Sequence, residues 1–435
     1  MKKIIFSAIA LSTVLTAAAS SVRVLRSEFV PYNTREAALS RDMSAVMNYM
    51  EVKPAVVSQR RDAVIYMQGF DADAASGDCN TYLHIENAGS AYTLLLNGKL
   101  LAEVEDERSP ADFLLNDALV QGRNTLTLEL RRSRTPQISN GTPAAAARPF
   151  EGSRIFCQRK LRIDDYSARI VPDESGSHGI LMLDIAVANG FGGEETFAVG
   201  YDITSPSGKL LDYTVQEMTL AGNSRDTLRI TTPIYDAPKY KWGENRGEAP
   251  LYSVMLYIKR NGKPEQYIPL NTAFGGAVLD GDRILNNGRE TEFLPHRYSS
   301  QPDAGAARRE IARLKKEGIN TVVTDFPQPS WFYDECDRAG MYVIDRAAIY
   351  AQEDRTVRGR GGTPSNDPAL LAEYLSRMDA MYFRMRNHPC IAGFMLGGEA
   401  GNGYNMYKAY QYLKSLETSR PVLYDDARGE WNTDL

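Results

Sequence analysis

The chain has 435 residues, 43% hydrophobic and 24% charged, which is enough for two to four domains with separate cores. Its formal net charge is −5 and it carries no Lys/Arg-rich block, which removes the electrostatic footprint of a nucleic-acid-binding surface. Four cysteines, Cys79, Cys157, Cys336 and Cys390, are too few and too scattered for a disulfide scaffold.

The N-terminus, "MKKIIFSAIALSTVLTAAAS", has two lysines, a short apolar core and small residues ending Ala17-Ala18-Ala19. This is the grammar of a secretory signal, so residues 1–19 are expected to be removed and the protein to be periplasmic or secreted. A buried N-terminal strand is the bland alternative. The apolar core is too short for a stable anchor, and no membrane span is expected. In an oxidising compartment Cys79 and Cys157 could pair. Cys336, on a predicted helix, and Cys390, just before a core strand, read as small buried hydrophobes.

From about residue 60 to 270 the pattern is β. "AYTLLLNGKLLAEV" is two apolar runs joined by Asn97-Gly98, a strong hairpin signal. "NTLTLELR" alternates, with Leu126, Leu128 and Leu130 on one face. "PQISNGTPAAAARP" reads as a loop rather than an element. "ILMLDIAVAN" sets Leu181, Leu183, Ile185 and Val187 on one side, and "LYSVMLYIKRNGKPEQYIPL" turns at Asn261-Gly262. Short strands spaced by turn signals predict two β-sandwich modules with a boundary near Asp165.

Beyond "GRETEFLPHRY" the period changes. "DAGAARREIARLKKEG" places Ala307, Ile311 and Leu314 on one helical face and stops at Gly318. "INTVVTD" is a strand, "WFYDECDRAG" a helix and "MYVID" a strand. "NDPALLAEYLSRMDAMYFRMRN" is a long helix with Asp367 as N-cap and Pro368 at its first position. "CIAGFMLGG", "NMYKAYQYLKSLETS" and "PVLYDD" complete a strand, a helix and a strand. Apolar strands without alternation predict a parallel α/β array.

Several of these strands end in a carboxylate: Asp325, Asp345, Glu399 and Asp425. Active sites of βα barrels are built on that C-terminal rim, although an Asp there also serves to cap a helix or tie down a loop. Glu399 differs, because Glu is a poor cap. Gly397, Gly398 and Gly401 are expected to leave space above it, or simply to make a tight turn. A carboxyl over an apolar floor suits a general acid.

Taken together, "LPHRYSS", "WFYDECDRAGMYVIDRAAI", "RNHPCIAGFMLGGEAG" and "SRPVLYDD" resemble the barrel of glycoside hydrolase family 2, the β-galactosidase, β-mannosidase and β-glucuronidase group. "SAYTLLLNGK…SPADFLLNDALVQGRNTLTLELR" is similar to that family's jelly-roll sugar-binding domain, and "EAPLYSVMLYI" to the end of its immunoglobulin-like domain. The resemblance implies three modules after the signal. These are a jelly-roll galactose-binding-like domain at 20–165, an immunoglobulin-like β-sandwich at 166–276, and the first five strands of an incomplete (β/α)8 TIM barrel at 277–435.

The activity implied is retaining hydrolysis of a β-linked glycoside, with one carboxylic acid protonating the leaving oxygen and a second, about 5–5.5 Å away, attacking the anomeric carbon. Glu399 occupies the acid/base position. His296 and Arg297 stand where the family places substrate-contacting residues. Asp325, Asp345 and Trp331 are further substrate-binding candidates, Trp331 with core packing as its alternative.

Departures from the pattern are expected to matter. Gly398 replaces the Asn that precedes the acid in the family. Arg346, Ala347 and Ala348 follow "YVID" where the family has Glu and then Ala-Asn, and Arg346 is placed to neutralise Glu399. Tyr350 and Gln352 stand where β-galactosidases carry metal ligands, so no metal or other cofactor is expected, and His84, His178, His296 and His388 show no metal-ligand spacing. His388 in "RNHP" reads as fixing the turn before the core strand. The family's nucleophile belongs to a seventh strand, beyond the five found here. An unclosed array is expected to be completed by further sequence, by another polypeptide or copy, or by surface divergence. A non-catalytic glycan-binding or scaffold relative is the alternative function.

Overall fold

The computed structural model describes residues 23–73, 77–135, 138–139, 146, 148–244, 247–351 and 363–435. The expected signal sequence, Gln352 and most of the Pro/Ala/Gly loop lie outside these residues.

Alternation along the N-terminal strands builds two five-stranded antiparallel sheets. One has the order Ala55–Gln59, Ala63–Ala72, Gly122–Arg131, Ala91–Leu96 and Lys99–Val104. The other is centred on Cys79–Ile85, paired with Arg154–Arg159 and Ala111–Leu114. Their facing side chains, Leu126 and Leu128 among them, form a core with Leu83, Phe113 and Ile155. The predicted hairpin is present: Asn97 (φ 53°) and Gly98 (φ 80°) take the left-handed values that a two-residue turn between twisted strands requires.

The chain changes sheets at Lys160, between Arg154–Arg159 and Leu161–Pro172. Three strands, Leu161–Pro172, Gly179–Asn189 and Ser224–Ile234, face four, in the order Leu210–Leu220, Glu195–Thr204, Tyr252–Arg260 and Lys263–Thr272. The predicted inward row of Leu181, Leu183, Ile185 and Val187 is fully buried in the core between them.

A three-stranded ribbon from Ala277 leads into the parallel sheet. Its five strands are Pro295–Arg297, Thr321–Val323, Tyr342–Arg346, Ile391–Met395 and Val422–Leu423, and they pair in chain order. The helices Ala304–Lys316, Ser330–Ala339, Leu371–Met385 and Tyr404–Leu416 alternate with them. Asp303 caps the first helix by accepting from the Ala306 N–H at 2.8 Å. Asp367 caps a short 3-10 turn, Pro368–Leu370, that runs into the third helix. The third and fourth strands are buried along their whole length, as runs without alternation require.

The turn Arg386-Asn387-His388-Pro389 lies where the three modules meet. Asn387 Nδ2 donates to Ser27 Oγ at 2.6 Å and to the Tyr166 carbonyl at 3.0 Å, while its Oδ1 accepts from the Ala168 N–H. Arg386 pairs with Asp165, and Arg384 on the preceding helix pairs with Glu28 and Glu86. His388 Nδ1 and the Asp337 carboxylate are 2.7 Å apart, and the other oxygen of Asp337 takes the Cys390 N–H. His388 therefore fixes the turn, as its place in the sequence suggests.

Cys336 and Cys390 are buried with no accessible surface. Cys79 and Cys157 are not joined. They lie on neighbouring strands but face Arg159 and Thr81, two residues out of register with each other. Among the described residues no helix is long and apolar enough to cross a membrane.

Candidate active site

Parallel strands deliver their C-terminal ends to one rim, and that rim gathers part of the predicted site. Asp325, just past the second strand, is its hub. Its carboxylate accepts from Arg297 Nε at 2.9 and 3.0 Å, from Tyr350 Oη at 2.6 Å and from Arg346 Nη1 at 3.3 Å. Arg346 also donates to Tyr350 Oη at 2.7 Å, and its other nitrogen is 4.0 Å from exposed Asp425. Burial, with the hydrogen bond to Asp325 and against the pull of Arg346, pushes the Tyr350 phenol up to about 12.

Glu399 is exposed, four residues beyond the fourth strand, on a loop tied down on both sides. Ahead of it, the Gly398 N–H donates to the Ile349 carbonyl at 2.9 Å, and the Ala351 N–H donates to the carbonyl of Glu399 itself at 2.8 Å. Behind it, the N–H groups of Ala400 and Gly401 both donate to Asp426 at 3.0 Å. Asp426 is almost fully buried and is a residue the sequence reading passed over in favour of its neighbour Asp425.

Three expectations are corrected here. The space above Gly397 and Gly398 is filled. A side chain at 398 would collide with the ring of Tyr350, and one at 397 would press on Ile349. The glycines are there because segment 349–351 lies directly against the loop. Arg346 does not serve to neutralise Glu399, because its guanidinium is committed to Asp325, Tyr350 and Met395. The Pro/Ala/Gly loop is also more than a surface connection. Ile138 is fully buried in the barrel core, and its carbonyl accepts from the Tyr350 N–H.

The other candidates separate. Asp345 has no accessible surface. Its Oδ1 accepts from Thr324 and Tyr333 at 2.7 and 2.8 Å, and its Oδ2 has no partner. Burial raises its carboxyl to about 6, although those two hydroxyls and the Arg346 N–H work the other way. It is a core residue below the rim. His296 lies on the face of the first strand opposite Arg297, where its charge is felt by Glu310 on the outer helix. Trp331 packs against the barrel core from the second helix.

Two groups of metal-type donors form away from the rim, from segments whose spacing gave no sign of it: Asp337, His388 and Cys390, and Glu28, His84 and Glu86. In the second, both ring nitrogens of His84 face carboxylates, Asp112 at 2.6 Å and Glu86 at 2.7 Å. In the first, the Asp337 carboxylate meets His388 Nδ1 and the Cys390 N–H. Hydrogen bonding to these partners accounts for the carboxylates.

Pairs of antiparallel sheets therefore precede a parallel βα array with an exposed carboxylate beyond its fourth strand. Residues 302–434 match the model of the glycosyl hydrolases family 2 TIM barrel domain. The chain is thus similar to glycoside hydrolase family 2, with residues 302–434 carrying the match to that family's barrel domain. It is 28% identical over 398 residues to beta-galactosidase 2 of Enterobacter cloacae, an alignment covering 86% of this chain and 37% of that protein. It is 25% identical over 391 residues to the beta-galactosidase of Vibrio cholerae, with the same coverage of each chain. The chain thus spans little more than a third of the length of these relatives. Among solved structures it is similar to Bacteroides uniformis beta-glucuronidase, with a TM-score of 0.70, 18% identity and coverage of 84% of this chain and 46% of that one. A family 2 member from Bacteroides cellulosilyticus gives a TM-score of 0.67 at 16% identity, covering 83% and 49%. At those identities the likeness is one of fold.

Two outcomes test this geometry. Gly398→Asn is expected to cost about 1–3 kcal/mol by overpacking, and adding Tyr350→Ala to relieve the collision. Urea unfolding of the two single variants and the double should give a coupling of at least about 1 kcal/mol, and additive costs would contradict the contact. For Asp345 the folded value of about 6 exceeds the unfolded 3.8, so its penalty grows as pH rises from about 4 to about 6 and is full above that. Asp345→Asn should therefore stabilise the fold by about 2–3 kcal/mol at pH 7.5 and by little at pH 4, measured by urea unfolding at both.

Proposed function

We propose that this chain carries the proton-donating half of a retaining β-glycosidase site of the β-galactosidase type, with Glu399 as the general acid/base. The observation that supports the reading is the anchored loop. Glu399 projects from the C-terminal rim while the Ile349–Ala351 segment holds one side of its loop and Asp426 the other. A donor must stay within about 3 Å of the leaving oxygen through two half-reactions, so an acid on a tethered loop is better placed than one on a free loop. In the first step Glu399 gives its proton to the leaving group as a second carboxylate attacks. In the second it takes a proton from water.

Arg297, anchored by Asp325 and itself largely exposed, is the rim group best placed to meet sugar hydroxyls. The reading also takes the first sandwich as a jelly-roll sugar-binding-like module, the second as immunoglobulin-like, and the protein as exported. The substrate class is a β-linked glycoside.

One observation favours a second reading, a non-catalytic glycan-binding or scaffold relative. The ring of Tyr350 stands where a side chain at 398 would point, and Arg297, Arg346 and Tyr350 are tied to Asp325 at the strand ends. The purified protein assayed on chromogenic β-galactosides, β-glucuronides and β-mannosides, beside Glu399→Gln, separates the two. With added formate standing in for the second carboxylate, the proposal expects turnover on a β-galactoside that falls by at least about 100-fold in the variant, the scale of a general acid. No turnover on any of the three, with glycan still bound, favours the second reading and overturns the first.

A further inference from the structure

We propose that the outer face of the four-stranded sheet in the second sandwich is a binding platform for a β-linked oligosaccharide, separate from the Glu399 rim. A groove of about 400 Å³ crosses this face, lined by Arg35, Asp202, Leu210, Tyr213, Tyr257, Lys259 and Tyr267, a size within the range of small-ligand sites. The residues come from all four strands, and Arg35 closes one end from the short helix Arg35–Ser40. Tyr213 is 67% exposed on the edge strand, an unusual position for a ring with no neighbour to cover it.

The Tyr257 ring is laid against the sheet by the backbone beneath it, with Tyr267 tilted 44° to it. Gly200 faces Tyr257 across the strand pair, and any side chain at 200 would collide with the Tyr257 ring, so glycine lets that ring lie down on the sheet. Tyr267 pairs with Tyr257 from the next strand, centroids 6.0 Å apart, and Lys259 Nζ sits 5.0 Å from the Tyr257 centroid. At the closed end Arg35 meets Asp202 through two parallel bonds of 2.6 and 3.1 Å. The pair cancels its own charge and leaves a planar edge of donors and acceptors beside aromatic rings. That combination suits a pyranose, which offers an apolar C–H face to a ring and hydroxyls at its rim. Lys259 adds one further donor beside the Tyr257 ring, and an aliphatic ligand would leave this polar edge unpaired. The Tyr213 column lies two strand spacings, about 10 Å, from the Tyr257 column, so a ligand touching both is longer than one sugar ring.

Carbohydrate as the ligand class rests on the β-glycoside reading above, and the test keeps the two apart. β-1,4-Galactotetraose is titrated calorimetrically into Glu399→Gln, which cannot turn the probe over by acid catalysis, and into the same variant carrying Tyr213→Ala, Tyr213→Phe or Arg35→Ala. The proposal expects saturable binding in Glu399→Gln, at least tenfold weaker with Tyr213→Ala or Arg35→Ala and retained with Tyr213→Phe, the two Tyr213 variants at an unchanged melting temperature. Tyr235→Ala, at a 77% exposed tyrosine outside the groove, should change nothing. Absence of binding, or binding indifferent to Tyr213→Ala, overturns the platform whatever the assay on chromogenic glycosides shows. A dimer in sedimentation velocity that Tyr213→Ala dissociates also overturns it, by assigning the face to a second copy.

Discussion

One carboxylate organises the mouth of the parallel array. Asp325 takes hydrogen bonds from three side chains that the chain supplies far apart, Arg297 from the first strand and Arg346 and Tyr350 from the end of the third. Two positive charges and a phenol converge on one negative group that is itself mostly buried, so each is held against the others. Tyr350 in turn decides what its neighbour can be. With its ring fixed by Asp325 and Arg346, position 398 has room only for glycine, and the loop bearing Glu399 follows a single course past it. The exposed acid is therefore a consequence of a buried polar cluster below it.

The same logic runs outward to the other modules. The first sandwich reaches the mouth directly: Arg108 lies over the Phe326 ring at 5.8 Å, and Ser139 receives a bond from fully buried Arg377 on the third helix of the array. At the C-terminal end of that helix, Arg384 joins Glu28 and Glu86. The turn that follows binds both sandwiches through Asn387. One helix and one turn thus set the position of two β-modules relative to the barrel strands. Losing a partner in such a network leaves a charge buried and unpaired, which is far costlier than losing a surface pair.

Much of this fold can be read from the residues. Five parallel strands and four helices follow from uninterrupted apolar runs and helical periodicity, and the buried row Leu181 to Val187 follows from simple alternation. Glu399 stands out in the sequence because glycines surround it. Its surroundings are not, because the glycines carry two meanings. Gly397 and Gly398 signal open space and signal close approach with the same letters, and only the course of segment 349–351 chooses between them. Ile138 shows the same limit. It lies in a stretch rich in proline, alanine and glycine, and nothing local marks it as the residue that enters the barrel core. Asp426 and the His84 cluster depend on contacts between distant segments, which no spacing rule encodes.

The account turns on Glu399 standing over a space that a sugar can enter, beside Tyr350 rather than beneath it. A crystal structure of the protein soaked with a non-hydrolysable thio-β-galactoside measures this directly. The account predicts the sugar at the C-terminal rim with its glycosidic atom about 3 Å from the Glu399 carboxylate, within reach for proton donation. A rim left without sugar at saturating ligand, with Tyr350 and Arg346 unmoved across the mouth, would contradict it.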